Sequence, residues 1–194
     1  MKKMIKMMAL SVAALGMSVG AAVAEPLKVG FLYLTTPGDH GWTYAHELAR
    51  QEVEAHFGDK VETTFVENVP EGPDAERVVR ELARQGNKVI FGTSFGYMDP
   101  MLKVSKDFPD VKFEHITGYK RSSNMATGNI RFYEGRYVQG IVAGMMTKTN
   151  KIGYIAPFQI PEAYQGLNAF AIGMREANPN AEIMVIWANT WADP

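Results

Sequence analysis

Apolar residues fall in short blocks along this chain, and the blocks alternate between two periods. Lys28-Val-Gly-Phe-Leu-Tyr-Leu34 is a compact apolar run bounded by turn residues, the pattern of a strand buried on both faces. Helical spacing follows from Trp42 to Phe57 and stops at Gly58, and Val61 to Val66 reads as the next strand. Pro70-Glu-Gly-Pro-Asp74 opens a second helix, whose Val78, Val79, Leu82 and Ala83 form one apolar stripe before Gly86 ends it. Lys88 to Phe91 predicts a strand, Met98 to Phe108 a helix and Val111 to Ile116 a strand again. Such alternation predicts an α/β fold with doubly wound parallel sheets, because each parallel crossover needs a helix to return the chain to the same edge.

The unit changes near Met125-Ala-Thr-Gly-Asn-Ile-Arg-Phe132. A strand there runs into a helix from Tyr133 to Met146 that is dense in small residues, and a fresh strand follows at Lys151 to Ala156. Helix Glu162 to Ala177 and a buried strand Glu182 to Trp187 then begin a second βαβ unit. The expected division is a leader over 1–24, a first α/β lobe over 25–131 and the start of a second lobe over 132–194. Trp191-Ala-Asp-Pro194 reads as a helix start with no helix behind it, so the sequence reads as a piece of a longer chain.

The first residues set the expected compartment. Met1-Lys-Lys-Met-Ile-Lys6 is basic, Met7 to Val19 is apolar but short for a membrane span, and Ala22-Val-Ala24 has the form of a leader-peptidase site. A mature chain starting at Glu25 in the periplasm is the expectation. The formal net charge is −1, and losing Lys2, Lys3 and Lys6 with the leader leaves 17 basic against 21 acidic residues. That mild acidity gives no electrostatic reason to expect nucleic acid or an anionic membrane as partner. Cysteine is absent, which excludes disulfides, thiolate metal sites and a cysteine nucleophile.

Candidate chemistry gathers at the predicted strand ends. In parallel sheets ligands sit outside the carboxyl ends of the strands, here the loops Thr35 to Gly41, Gly92 to Met98 and Thr117 to Tyr119. Gly92-Thr-Ser-Phe-Gly96 has the G-x-S-x-G form of a nucleophile elbow, which would make Ser94 the nucleophile of a secreted serine hydrolase. The triad would need an acid and then a histidine, and the only later histidine is His115, with Asp107, Asp110 and Glu114 between. The same segment also suits a binding loop, where glycines admit a ligand to the backbone and hydroxyls supply uncharged hydrogen bonds. His40, His46, His56 and His115 have no metal-ligand spacing and read as ordinary surface histidines, so no metal or cofactor is expected. Neither a P-loop nor G-x-G-x-x-G occurs. Aromatic residues, by contrast, recur just past the strands at Trp42, Tyr44, Phe95, Tyr97, Phe132, Phe158 and Trp191. A flat ring stacked on such side chains gains about 1–3 kcal/mol per contact.

Several of these segments together resemble one family. Gly38-Asp-His-Gly-Trp-Thr-Tyr-Ala-His46, Phe91-Gly-Thr-Ser-Phe-Gly-Tyr-Met-Asp99, Phe132-Tyr-Glu-Gly-Arg-Tyr-Val-Gln-Gly140, Lys151-Ile-Gly-Tyr-Ile-Ala-Pro-Phe158 and Trp187-Ala-Asn-Thr-Trp-Ala-Asp-Pro194 resemble the basic membrane protein family of ABC-transporter substrate-binding proteins. The resemblance implies a type I periplasmic-binding fold whose two lobes close on a purine nucleoside or base and deliver it to an inner-membrane permease. It further implies stacking by Trp42, Phe95, Phe158 and Trp191, hydrogen bonding by Asp39 and Asp99, and a place for Ser94 in the second ligand loop. Trp42 and Trp191 stand where many relatives carry Phe, a change that would reshape the pocket for a flat ring. A monomer with no enzymatic activity is the matching expectation, and a sensor that feeds a membrane receptor is the other binding role this fold allows.

Overall fold

The computed structural model describes residues 25–191; the predicted leader and its cleavage site lie outside the described residues. Five parallel strands form the first sheet: β1 (Leu27–Leu32), β2 (Val61–Val66), β3 (Val89–Gly92), β4 (Lys112–Ile116) and β5 (Met125–Gly128), in the order β2-β1-β3-β4-β5. Helices α1 (Gly41–Phe57), α2 (Pro73–Arg84) and α3 (Met98–Ser105) make the first three crossovers. Beyond β5 come α4 (Phe132–Met146), β6 (Lys151–Ala156), α5 (Pro161–Ala177) and β7 (Glu182–Trp187), and β6 pairs with β7 in a second, two-stranded parallel sheet. The strand order reverses at β1, so the connections leaving β1 and β3 run in opposite directions from paired strand ends and leave a crevice between their loops.

Local chemistry explains the boundaries. Helix α2 has Pro73 at its first turn, Asp74 and Glu76 near its positive end and Arg84 near its negative end. Its Ala75, Val78, Val79, Leu82 and Ala83 are buried, one face of a 3.6-residue repeat set against the sheet. Gly86 adopts φ 91°, the left-handed conformation that ends the helix without a Cβ penalty. Strand β1 splits its side chains between two cores: Leu32 joins the α2–α3 side, while Val29 and Phe31, with Tyr33 just beyond, face α1. On that second face Phe31 stacks on Phe91 at 4.9 Å.

One link departs from the helical crossovers, and one strand differs from the sequence reading. The β4–β5 link has no helix; instead the amide nitrogen of buried Asn124 lies 3.0 Å from each of the carbonyls of Ser105, Phe108 and Val111, which pins the short return. Strand β7 is covered on one face only. Ile183 packs under α5 with Phe170 and Met174, while Ile155 of β6 and Met184 and Ile186 of β7 lie on the open face, more than half exposed. The sequence has the apolar pattern of a strand covered on both sides, and α4 and α5 supply one of them.

Candidate functional site

The loops beyond β1, β3 and β4 meet Trp191 and the start of α5 around a cleft of about 490 Å³. Leu34, Thr35 and Thr36 form one wall, and the first turn of α1 brings Trp42 and Thr43 beside them. Thr93, Ser94 and Phe95 supply the β3 wall, and Thr117 adds a hydroxyl from the end of β4. From the second layer come Glu162, on the first turn of α5, and Trp191, beyond β7. An adjoining groove of about 460 Å³ runs along β6 and shares Trp42, Glu162 and Trp191 with the cleft.

Hydrogen bonds fix these walls from behind. The Trp42 indole N–H donates to the Thr93 carbonyl at 2.5 Å, joining α1 to the β3 loop, and the ring is flanked by His46 at 4.6 Å and Phe132 at 5.9 Å between centroids. Thr93 Oγ1 donates to the Leu32 carbonyl at 2.8 Å. Glu71 accepts from both Ser94 Oγ, at 2.5 Å, and the Gly96 amide, at 2.8 Å. A Cβ at Gly96 would lie 2.2 Å from that carboxyl, so glycine is what lets the loop close over it.

His115 corrects the expectation of surface histidines: it is fully buried at the end of β4. Inward alternation with Phe113 takes its ring beneath the β3 loop, where Nε2–H donates to the Ser94 carbonyl at 2.7 Å. That bond puts the proton on Nε2 and leaves Nδ1 as an unpaired acceptor. Burial is the main cause holding His115 below the ordinary value of 6.5, partly opposed by the Ser94 carbonyl. The unfolded chain therefore takes up this proton first as pH falls. Stability from neutral His115 is complete above pH 6.5 and declines below it, until the folded state's lower pKa is passed. We expect His115→Asn to flatten the urea-unfolding free energy between pH 7 and 5; an unchanged slope would assign the loss to other groups.

This geometry does not assemble a hydrolase triad. Ser94 is extended, at φ −128° and ψ 147°, rather than in a strained elbow. Its Oγ is held by a carboxylate, and the imidazole meets its carbonyl instead.

Four of the seven residues singled out in the sequence line the cleft together: Trp42, Ser94, Phe95 and Trp191. The other three stand outside its lining. Phe158 packs edge-on against Trp191 at 5.0 Å. Asp39 is exposed and contacts the His40 ring, and Asp99 pairs with Lys120 at 2.6 Å. Sequence reasoning missed Glu162, because an acidic residue at a helix start is accounted for by the helix dipole alone. Among the described residues no group of acidic and histidine side chains could hold a metal ion, and no helix is long and apolar enough to cross a membrane.

Residues 27–194 match the model of the Bmp family, described as ABC transporter substrate-binding protein, PnrA-like. A purine-binding protein of Brucella abortus is 59% identical over 176 residues, covering 90% of this chain and 50% of that protein. A Haloferax volcanii protein named "Putative ABC transporter glucose-binding protein" is 45% identical over 175 residues, covering 90% of this chain and 44% of its own. The chain thus spans about half the length of the curated relatives it matches. Among solved structures, an ABC transporter solute-binding protein from Aeropyrum pernix superposes with a TM-score of 0.75 at 22% identity, over 87% of this chain and 49% of that one. At that identity the likeness is one of fold, the type I periplasmic-binding fold.

Proposed function

The chain belongs to the Bmp family of ABC transporter substrate-binding proteins, and from that membership we propose that it takes a purine base or nucleoside into the cleft between its two sheets and presents it to an inner-membrane permease. The observation that carries this reading is the placement of Trp42 and Trp191 from different layers on one cleft, among neutral threonine hydroxyls. Such walls suit a flat, uncharged ring: the indoles offer apolar surface, and Thr35, Thr36 and Thr117 offer hydroxyls, while buried Thr43 and Thr93 brace the wall behind them. The family's members are binding proteins of transporters rather than enzymes, so the work is capture and release.

In this reading residues 25–131 and 132–194 belong to two lobes that close by hinge motion on the ligand. Export of the chain by the segment 1–24 places that cycle in the periplasm. The name of the Brucella relative supports a purine, and that of the Haloferax relative sets glucose as the competing ligand. Two indoles on one cleft favour the purine, since a base can be stacked from either side.

Calorimetry with adenine, hypoxanthine, their nucleosides and glucose tests the assignment. It is run on this chain and on a version completed with the part of the Brucella protein that the match leaves uncovered. Binding of a purine and not of glucose is the expected result; glucose binding without any purine overturns the ligand class. Trp42→Ala should weaken purine binding by about 1–3 kcal/mol, and an unchanged affinity removes Trp42 from the site.

A further inference from the structure

Glu162 is the one carboxyl among the described residues that line the cleft, and it lines the adjoining groove as well, together with Trp42 and Trp191. It therefore shares both spaces with the two indoles. Its protein partners are sparse: Asn129 Nδ2 approaches at 3.4 Å, the long limit of a hydrogen bond. Arg136, which lines the same groove, hydrogen-bonds Gln139 at 2.9 Å rather than Glu162, and Arg131 before α4 pairs with Glu134 at 3.1 Å. Burial raises the Glu162 carboxyl above the ordinary carboxylate value, the direction expected for a group with little protein compensation. The other ionisable side chain on the lining of the cleft itself, His40, is turned to solvent against Asp39.

An ionised carboxyl only accepts hydrogen bonds, so what completes it is a donor. The threonines can adapt as donors or acceptors; Glu162 cannot, and it is the lining group able to discriminate. We propose that Glu162 is the specificity-determining residue of the cleft, accepting N–H donors on the rim of a heterocyclic base that lies against Trp42 and Trp191. The class of ligand is then narrower than a flat ring: a base with a ring N–H or an exocyclic amine directed at the second layer. This inference rests on the purine reading above.

The test is calorimetry of the completed protein, wild type, E162Q and E162A, with adenine, hypoxanthine and 1,3,7-trimethylxanthine, a purine with no N–H. The wild type should prefer the N–H-bearing bases over the trimethylated one by about tenfold or more. E162A should lose about tenfold or more for adenine or hypoxanthine while changing little for trimethylxanthine, so that the preference collapses. E162Q keeps an acceptor oxygen and should fall between the two. Far-ultraviolet circular dichroism and a thermal melt establish that each variant is folded. If E162A binds every base within about twofold of wild type, the role of Glu162 is overturned and the purine site stands. If the wild type binds none of the three, the purine reading falls and this assignment with it.

Discussion

Glu47→Ala should strongly destabilise the packing of α1 on the first sheet, costing about 3–5 kcal/mol as the loss of one partner from a buried ion pair. Glu47 and Arg50 are about nine-tenths buried between α1 and the sheet. The carboxylate accepts from Arg50 Nη2 at 2.7 Å and Nε at 2.8 Å, from Gln51 at 2.9 Å and from the Tyr33 hydroxyl at 3.1 Å. Arg50 also donates to Thr63 on β2 at 2.5 Å and lies over the Phe65 ring at 5.2 Å. Removing the carboxylate leaves a guanidinium and a phenol stranded under the helix; Glu54, 2.9 Å from Arg50 but partly exposed, compensates only in part. Urea unfolding measures the loss, and a cost below about 1 kcal/mol would mean that the network behaves as a surface pair.

The same network sets an acid limit. The Arg50 hydrogen bonds hold the Glu47 carboxyl below the ordinary value of 4.5, against the opposing effect of burial. Its contribution is whole above pH 4.5 and is lost as pH falls through the folded value. That decline should follow at lower pH than the one due to His115, and Glu47→Gln should remove it.

What the sequence made legible follows from how each signal is encoded. Strands Val61–Val66, Lys151–Ala156 and Glu182–Trp187 match their apolar runs residue for residue, because parallel strands declare themselves by composition and bounding turns. The loops beyond β1, β3 and β4 were legible as cleft walls, because parallel topology alone assigns ligands to those ends. Glu162 was not, since its importance depends on which layer α5 faces, a tertiary fact. The burial of His115 was hidden for a similar reason: its neighbours in sequence, Glu114 and Ile116, do not reveal that the Ser94 carbonyl lies above its ring. Nor does any local pattern show that Ser94 Oγ is taken by Glu71, 23 residues away.

Gly173→Ala should destabilise the second layer by up to about 3 kcal/mol, although alanine is the better helix former by about 1 kcal/mol. Helices α4 and α5 cross through reciprocal close approaches of backbone. A Cβ at Gly173 would lie 2.2 Å from the Tyr137 carbonyl oxygen, and one at Gly140 would lie 2.0 Å from that of Phe170. Gly144 repeats the contact against Met174 at 2.5 Å. No rotamer relieves a clash between a Cβ and a main-chain oxygen, so the helices must separate, and the packing of Phe170 and Met174 over Ile152 and Ile183 loosens with them. Gly135, on the same helix α4 and with nothing within 4 Å, is the control. Gly135→Ala should stabilise by about 0.5–1 kcal/mol. Opposite signs at the two positions in urea unfolding would show that contact, not propensity, sets the α4–α5 crossing and with it the place from which Glu162 reaches the cleft. A gain at both positions would show that the helices are not held in close contact.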